Sequence, residues 1–469
     1  MQSVTLVNMN AQFQARIADR SARVGVVGLG YVGLPLAVAL TEAGFEVAGI
    51  DVDERKVTSL CAGRSPIGDI ADGRVAPLVA SRRLSATGDY TALADCDAIF
   101  VCVPTPFDAN KTPDLRMVHA AADGIAAHLR PGQLIVLQST TYPGTTEEVI
   151  QPRLEAGGLR AGRDFFLAFS PERIDPGVPE HTVLNTPKVV GGVTPECTAL
   201  AAALLATIGP KVHAVSNPRV AEMTKLLENI FRSVNIALVN ELALLCERMD
   251  IDIWEVIRAA STKPFGYMPF WPGPGVGGHC IPIDPYYLAW KAREFDFSTR
   301  FIELAADINQ AMPRHVVELV ARALDAAGRT VRGARILVLG VAFKPDVDDP
   351  RHSPAERIIE LLIEFGADVR YHDPHIPRFR AGASPFHRRP EALDSVPLTD
   401  AEIEGADVVV ILTAHRAVDY DRVLATARLV VDTTRVTAGR EGERLVRLGV
   451  GPHPPAPSPA NRAGEGEKA

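Results

Sequence analysis

The chain has 469 residues, 47% hydrophobic and 23% charged, with a formal net charge of −8. At roughly 150 residues per domain this excludes a single small module and predicts about three domains, of globular rather than disordered composition. The acidic balance excludes nucleic acid as the main partner, because affinity for phosphate backbones comes from clustered Lys and Arg.

Residues 1–22 read as an N-terminal extension with helical character. From Arg23 to residue 217, short β-rich runs alternate with helical stretches: RVGVVGLG, FEVAGID, DAIFVCVPTP and QLIVLQST. Continuous Val/Ile runs predict strands buried on both faces, as in a parallel sheet between helix layers. Residues 218–325 read as helical, opening on Asn217-Pro218 as N-cap and first helical residue. A single helix running to Asp250 would measure about 45 Å at 1.5 Å per residue. Over 326–450 a second set follows in the same order: RILVLGVAF, ADVRYHD, ADVVVILTAH and RLVVDTTR. Asp51 and Asp373 close the second strand of their sets, and Asp97 and Asp407 open the third. The fold class is therefore α/β: two Rossmann-like, doubly wound parallel-sheet domains joined by a long central helix and a helical middle domain. Residues 451–469 are rich in Pro, Ala and charge and are expected to be disordered.

Six cysteines without a CxxC pair make no disulfide framework or zinc site. The start lacks the basic, apolar, small-residue order of a signal peptide, and no apolar run reaches the ~20 residues of a bilayer span. The expectation is a cytoplasmic protein with no membrane segment.

Gly28, Gly30 and Gly33 follow the first strand and open a helix. In such a turn the first glycine makes the bend, the second lets backbone approach a pyrophosphate, and the third allows close helix packing. Tyr31 and Val32 belong to the same cofactor turn. Asp51 ends the next strand, where a carboxylate accepts from ribose hydroxyls and repels a 2′-phosphate. NAD is favoured over NADP, although Lys56 lies close enough to weaken that preference. The second half keeps only Gly340, so only the first half should hold a dinucleotide in the usual way.

Pro272 to Pro285 contains four glycines and four prolines in fourteen residues, around Cys280 and Asp284. Such a segment is neither helix nor strand, and a cysteine held there is a candidate nucleophile for a carbonyl, forming a thiohemiacetal that can be oxidised. The other cysteines sit in helical or strand patterns and read as structural. His279 with Cys280, and His372-Asp373-Pro374-His375, lack further ligands at metal spacing, so no metal is expected. Lys225 and Asn229, four apart, share a helix face, with Glu222 and Glu228 nearby. The pair reads either as a solvated face or as two donors to a developing oxyanion.

GLGYVGLPLA, VPTP, STTYPGTT, SPER, AEMTKLLEN, GPGVGGHCIPIDP and GVAFKPDVDDPRHSPA resemble, in order, the motifs of the nucleotide-sugar 6-dehydrogenases, from about Ala22 to about Thr434. The resemblance implies oxidation of C6 of a UDP-sugar from alcohol to carboxylate, with two NAD per turnover and no metal. It implies that Cys280 captures the C6 aldehyde and carries a thioester. Lys225 would stabilise negative charge or act as acid/base at C6, and Asn229 and Asp284 would position the reacting oxygen and a water. Thr140 would contact that water and the nicotinamide side, and Glu172 would be the base for thioester hydrolysis. Arg173, Gly277, Phe343 and Lys344 fall on UDP-sugar positions, and Thr105 and Arg351 on NAD positions.

Two departures stand out. Pro176 replaces a second glutamate of the UDP-glucose branch, leaving Asp175 beside it, and Thr434 replaces an arginine, with Arg435 one place later. SPERIDPG, KPFGYMPFWPGPG and GGHCIPIDP look more like the branch acting on N-acetylated sugars. UDP-N-acetylglucosamine is the expected substrate, with UDP-N-acetylgalactosamine, UDP-N-acetylmannosamine and UDP-glucose as alternatives. A non-catalytic NAD and UDP-sugar sensor, or a one-step dehydrogenase of small hydroxy acids, are the competing readings. A homodimer or higher oligomer through the long helix is expected.

Overall fold

The computed structural model describes residues 2–451 except 69, 109–111, 175–181, 210, 382–390, 441 and 443, with side chains from Met9 on. The tail expected to be disordered lies, from residue 452, outside the described residues, as does Asp175. The chain divides into two compact units, Met1–Ile230 with Ile283–Thr299, and Phe231–Pro282 with Arg300–Ala469.

The first unit is built on eight strands: β1 (Arg23–Val27), β2 (Glu46–Ile50), β3 (Leu84–Thr87), β4 (Ala98–Val101), β5 (Leu134–Leu137), β6 (Phe166–Phe169), β7 (Lys188–Gly192) and β8 (Val212–Ala214). Their spatial order is β3-β2-β1-β4-β5-β6-β7-β8. All pairs are parallel except β6 with β7. β4, β5 and β6 are buried at every residue, as continuous apolar runs between two helix layers require. Each buried Val, Leu or Ile contributes about 1.5–3 kcal/mol, which holds the sheet between its helix layers. The order reverses between β1 and β4, where the carboxyl ends of the strands leave the ligand crevice of doubly wound sheets. The extension forms a helix, Gln2–Ala18, whose Phe13 and Ile17 join this core.

In the second unit β9 (Arg335–Leu339), β10 (Asp368–His372), β13 (Val408–Ile411), β14 (Val430–Asp432) and β15 (Leu445–Arg447) form a parallel sheet, ordered β10-β9-β13-β14-β15. β11 (Arg378–Ala381) and β12 (Glu391–Asp394) pair antiparallel beside it. The four strands foreseen here are present, and the additional ones are short or carry little apolar signal.

A 32-residue helix, Pro218–Met249, runs through the division between the units. The Asn217 side chain accepts from Val220 N–H, capping it at 3.1 Å. In the second unit it packs on the helix Arg300–Ala326: Asn240 donates to Asn309 at 2.9 Å and Glu247 meets His315 at 3.0 Å. By length and composition alone this helix is long and apolar enough to cross a membrane, with a mean hydropathy of 1.2 in its most apolar window, a test that a core helix passes as well. Its protein-facing side buries Glu222, Lys225, Asn229, Asn240 and Glu247, and charges at mid-bilayer cost about 2.5–3.5 kcal/mol each.

Candidate active site

At the end of β1 the backbone of Gly28 turns at φ +93°, and a Cβ there would lie 2.5 Å from Cys102 O. A Cβ on Gly33 would sit 1.8 Å from Gly28 O, whereas one on Gly30 would meet nothing within 4 Å. Two glycines are thus required by the chain's own packing, and the third opens onto free space. The helix Gly33–Glu42 begins without any side-chain cap, although Leu34 N–H donates to Gly30 O at 3.0 Å and Pro35 carries no N–H, so the space beside Gly30 rather than a free row of amides is what the turn offers an anion. These features fit a dinucleotide's pyrophosphate.

Asp51 is buried, its Oδ2 accepting from Leu29 N–H at 2.8 Å and Lys56 Nζ at 3.0 Å, and its Oδ1 from Asp53 N–H at 2.9 Å. Lys56 therefore neutralises the charge that would repel a 2′-phosphate. Thr105 and Thr140 are brought together, the Thr105 hydroxyl donating to Thr140 O at 2.8 Å, while the Tyr287 hydroxyl donates to Thr105 O.

The corresponding carboxylate of the second unit is differently placed. Asp373 accepts from Val341 N–H (2.7 Å), Ala342 N–H (3.0 Å), His375 N–H (2.8 Å), Ile376 N–H (3.1 Å) and His415 Nε2 (3.0 Å). Burial alone would push its carboxyl up, but His415 and the amides outweigh it and hold it at about 2. With its lone pairs engaged internally, Asp373 has no capacity for a ribose, which accounts for the asymmetry between the halves. Asp346, His375 and His415 bring possible metal-ligand atoms within 4.8 Å of one another. Both ring nitrogens of His415 are engaged, however, Nε2 with Asp373 and Nδ1 with Asp346 N–H at 2.9 Å.

Lys225 and Asn229 do not form a solvated face. Both are buried, and Asn229 Nδ2 donates to Asp284 Oδ2 at 2.5 Å. Asp284 opens the helix Asp284–Ala292 and is 3% exposed. Burial pushes its carboxyl up to about 7, against the opposing pull of the Lys225 charge and the Asn229 hydrogen bond. A carboxyl poised near neutrality beside an amine and an amide can exchange a proton with a substrate hydroxyl.

Nearby on the same helix, Glu222 is fully buried and accepts from Gly144 N–H (2.6 Å), Thr146 N–H (2.9 Å) and the Thr146 hydroxyl (2.7 Å). It fastens the STTYPGTT segment to the helix that carries Lys225, a role invisible in spacing alone. Glu172 pairs with Lys188 at 3.1 Å. Arg173 pairs with Glu228 at 2.7 Å and donates to Pro187 O at 2.9 Å, so its donors are engaged within the protein. Neither Lys188 nor Glu222 was singled out by sequence pattern.

In the second unit the Cys280 loop lies against the segment that follows β9. Gly278 N–H donates to Arg351 O at 3.2 Å, and its φ is +89°. A Cβ on Gly277 would come within 2.9 Å of Phe343 Cβ. His279 meets the Phe343 ring edge-on at 6.3 Å. Arg351 is bidentate on Asp349 at 2.9 and 2.6 Å, and Asp349, although buried, is held below the usual carboxylate range by that pairing. Phe343 and Arg351 thus lie against the loop at Gly277 and Gly278, Lys344 adjoins Phe343 in the chain, and Cys280 is in no disulfide. Arg435, at φ +61°, sits over Trp254 at 5.6 Å, beside the stacked Trp254–Trp271 pair. Together with Arg258 and Thr434 these residues line a shallow cleft.

A nucleotide-binding parallel sheet, a poised carboxyl and a glycine-held thiol define a cofactor-dependent oxidoreductase of an alcohol or aldehyde. Three family models agree: the UDP-glucose/GDP-mannose dehydrogenase NAD binding domain over residues 22–209, the central domain over 219–311 and the UDP binding domain over 337–439. The chain is 40% identical to UDP-N-acetyl-D-glucosamine 6-dehydrogenase of Pseudomonas aeruginosa, over 76% of this chain and 84% of that protein. It is 36% identical to UDP-N-acetyl-D-mannosamine dehydrogenase of Salmonella typhi, over 88% and 98%. The solved structure of the UDP-D-ManNAc dehydrogenase of Pyrococcus horikoshii superposes with a TM-score of 0.81 at 32% identity, covering 91% of this chain and 99% of that one. The chain belongs to the UDP-glucose/GDP-mannose dehydrogenase family and is an NAD-dependent UDP-sugar 6-dehydrogenase.

Proposed function

We propose that the enzyme oxidises C6 of UDP-N-acetylglucosamine to the carboxylate through a thioester on Cys280, as a cytoplasmic homodimer that supplies a uronate for surface polysaccharide. The observation carrying the chemistry is the buried Lys225, Asn229 and Asp284 group, with Asp284 only four residues from Cys280 in the chain. NAD, at the Gly28 to Gly33 turn with Tyr31, Val32, Asp51, Lys56, Thr105 and Arg351, supplies the hydride acceptor for both oxidations.

Asp284 accepts the C6 hydroxyl proton in the first oxidation, while Lys225 and Asn229 donate to the oxygen. Cys280 Sγ then bonds to the aldehyde carbon, its proton passing to the carbonyl oxygen. Loss of a second hydride and of the new hydroxyl proton leaves the thioester. Glu172 and Thr140 hold a water; its oxygen bonds to the acyl carbon, one proton goes to Glu172, and the C–S bond breaks to give uronate and free thiol. Gly277, Phe343 and Lys344 of the second unit hold the UDP-sugar, whereas Arg173, whose guanidinium is paired to Glu228 and Pro187 O, is left without that role.

The choice of sugar is supported by the relative at 40% identity and by the likeness of SPERIDPG, KPFGYMPFWPGPG and GGHCIPIDP to the branch acting on N-acetylated sugars. The test is a panel of the four UDP-sugars with NAD and NADP, following NADH and uronate. Two NADH per sugar are expected, with Cys280→Ser forming no uronate. One NADH per sugar would refute the two-step mechanism, and equal rates on the glucose and N-acetylglucosamine forms would refute the substrate.

A further inference from the structure

Lys188 is the first residue of β7 and is 0% exposed. Its Nζ lies 3.1 Å from Glu172 Oε1 and 3.3 Å from Oε2. Glu172 Oε1 also accepts from Arg173 N–H at 2.7 Å and Ile174 N–H at 3.1 Å. Two other ionisable groups face the pair. The Cys102 thiol, just past β4, feels both charges, and burial pushes it well above its ordinary range, so it stays protonated. Arg173 stands beside Glu172, but its guanidinium is paired to Glu228 on the long helix at 2.7 Å. Among the described residues, Lys188 is therefore the cation whose charge balances Glu172.

Stability does not call for this arrangement. Desolvating two charges costs several kcal/mol per ion, and a well-packed apolar pair of similar volume is often as stable. The pair gives something an apolar pair cannot, a carboxylate held in one orientation by Lys188 and the amides of Arg173 and Ile174. The Ser170 hydroxyl, donating to Val189 O at 2.8 Å, ties the same segment to β7.

We propose that Lys188 is a positioning residue for the hydrolytic step, orienting and charge-balancing the Glu172 carboxylate that takes a proton from the attacking water. This rests on the assignment of Glu172 as that base. A carboxylate that loses a cation within about 4 Å holds its proton to higher pH, typically by one to three pH units. Removing the Lys188 charge should therefore slow thioester hydrolysis at low pH and leave formation of the first NADH intact.

The test uses the full chain with NAD and UDP-sugar. It compares Lys188→Met, Lys188→Gln, Lys188→Arg and Glu172→Gln by the pH profile of kcat, the first-turnover NADH burst and the intact mass of the enzyme during turnover. The two uncharged variants should show the acidic limb of kcat displaced upward by about one to three pH units, an unchanged burst and an accumulating acyl-enzyme, with Lys188→Arg restoring the wild-type limb. Should Lys188→Met fail to fold, Lys188→Gln gives the same reading. A limb that stays in place in either folded uncharged variant, while Glu172→Gln blocks hydrolysis, would reduce Lys188 to a structural residue. Glu172→Gln turning over like wild type would instead remove Glu172 from the mechanism, and the inference with it.

Discussion

Asp284 shows how burial sets chemistry at a single residue. Its carboxyl is raised from 3.8 to about 7 because the folded chain removes it from water, and the Lys225 charge offsets only part of that. Between about pH 4 and 7 the native state therefore holds a proton that the unfolded chain releases, so this group's contribution to stability falls as pH rises through that window. The same proton appears in the kinetics. The kcat/KM profile of the wild-type enzyme should carry an acidic limb near pH 7. Asp284→Asn should lose that limb and about 10²–10⁴-fold in rate, the usual contribution of a positioned acid/base. An unchanged limb in Asp284→Asn, read by initial NADH rates from pH 5.5 to 9, would move the proton acceptor elsewhere. Lys225→Met should push the limb upward, because the charge that opposes burial is then gone.

At the scale of elements, the three glycines of the cofactor turn answer to two constraints, the chain's own packing at Gly28 and Gly33 and open space at Gly30, and the two separate experimentally. Gly30→Ala adds a methyl that meets nothing in the chain, so its unfolding temperature should match wild type while the KM for NAD rises about tenfold or more, equivalent to about 1.4 kcal/mol. Gly33→Ala drives a Cβ to 1.8 Å from Gly28 O and should lower both unfolding temperature and NAD affinity. If Gly30→Ala leaves the KM for NAD unchanged, no ligand backbone approaches there.

Much of this was legible in the sequence. Val/Ile runs bounded by Gly and Asp exposed the parallel strands, and glycine spacing exposed the turn. β3, β7 and the β11/β12 hairpin were not legible, because LSAT, KVVGG, RFRA and EALD mix small, polar and charged residues whose strand character comes from tertiary pairing; β6, β8 and β15 went unread as well, the last two for their three-residue length and β6 because a four-residue apolar run such as FLAF does not by itself separate strand from helix. The partnerships of Lys188 with Glu172 and of Glu222 with residues 144–146 were hidden for a related reason. A lysine opening a strand or a glutamate on a helix reads as solvated surface until long-range packing removes the water.

At the scale of the molecule, the long helix poses the remaining question. One face buries polar side chains. Along the other, Met223, Leu227, Phe231, Leu238, Leu242, Leu245 and Met249 are exposed at spacings of three, four and seven. A helix of 32 residues is about 48 Å long at 1.5 Å per residue, and an apolar stripe of that extent exceeds what an isolated surface usually leaves in water. Spanning a bilayer would need the opposite face to exchange its protein partners for lipid as well, which the charged Glu222, Lys225 and Glu247 oppose. A second copy of the same stripe, applied about a two-fold axis, needs no such change, because an isologous contact meets itself. The wild-type protein should therefore have twice the mass of one chain by light scattering. Leu238→Glu with Leu242→Glu places four like charges at the centre of that contact and should give the mass of one chain, with helix content by circular dichroism unchanged. A folded double variant that keeps the doubled mass would show that copies associate through another surface, leaving the stripe without a partner.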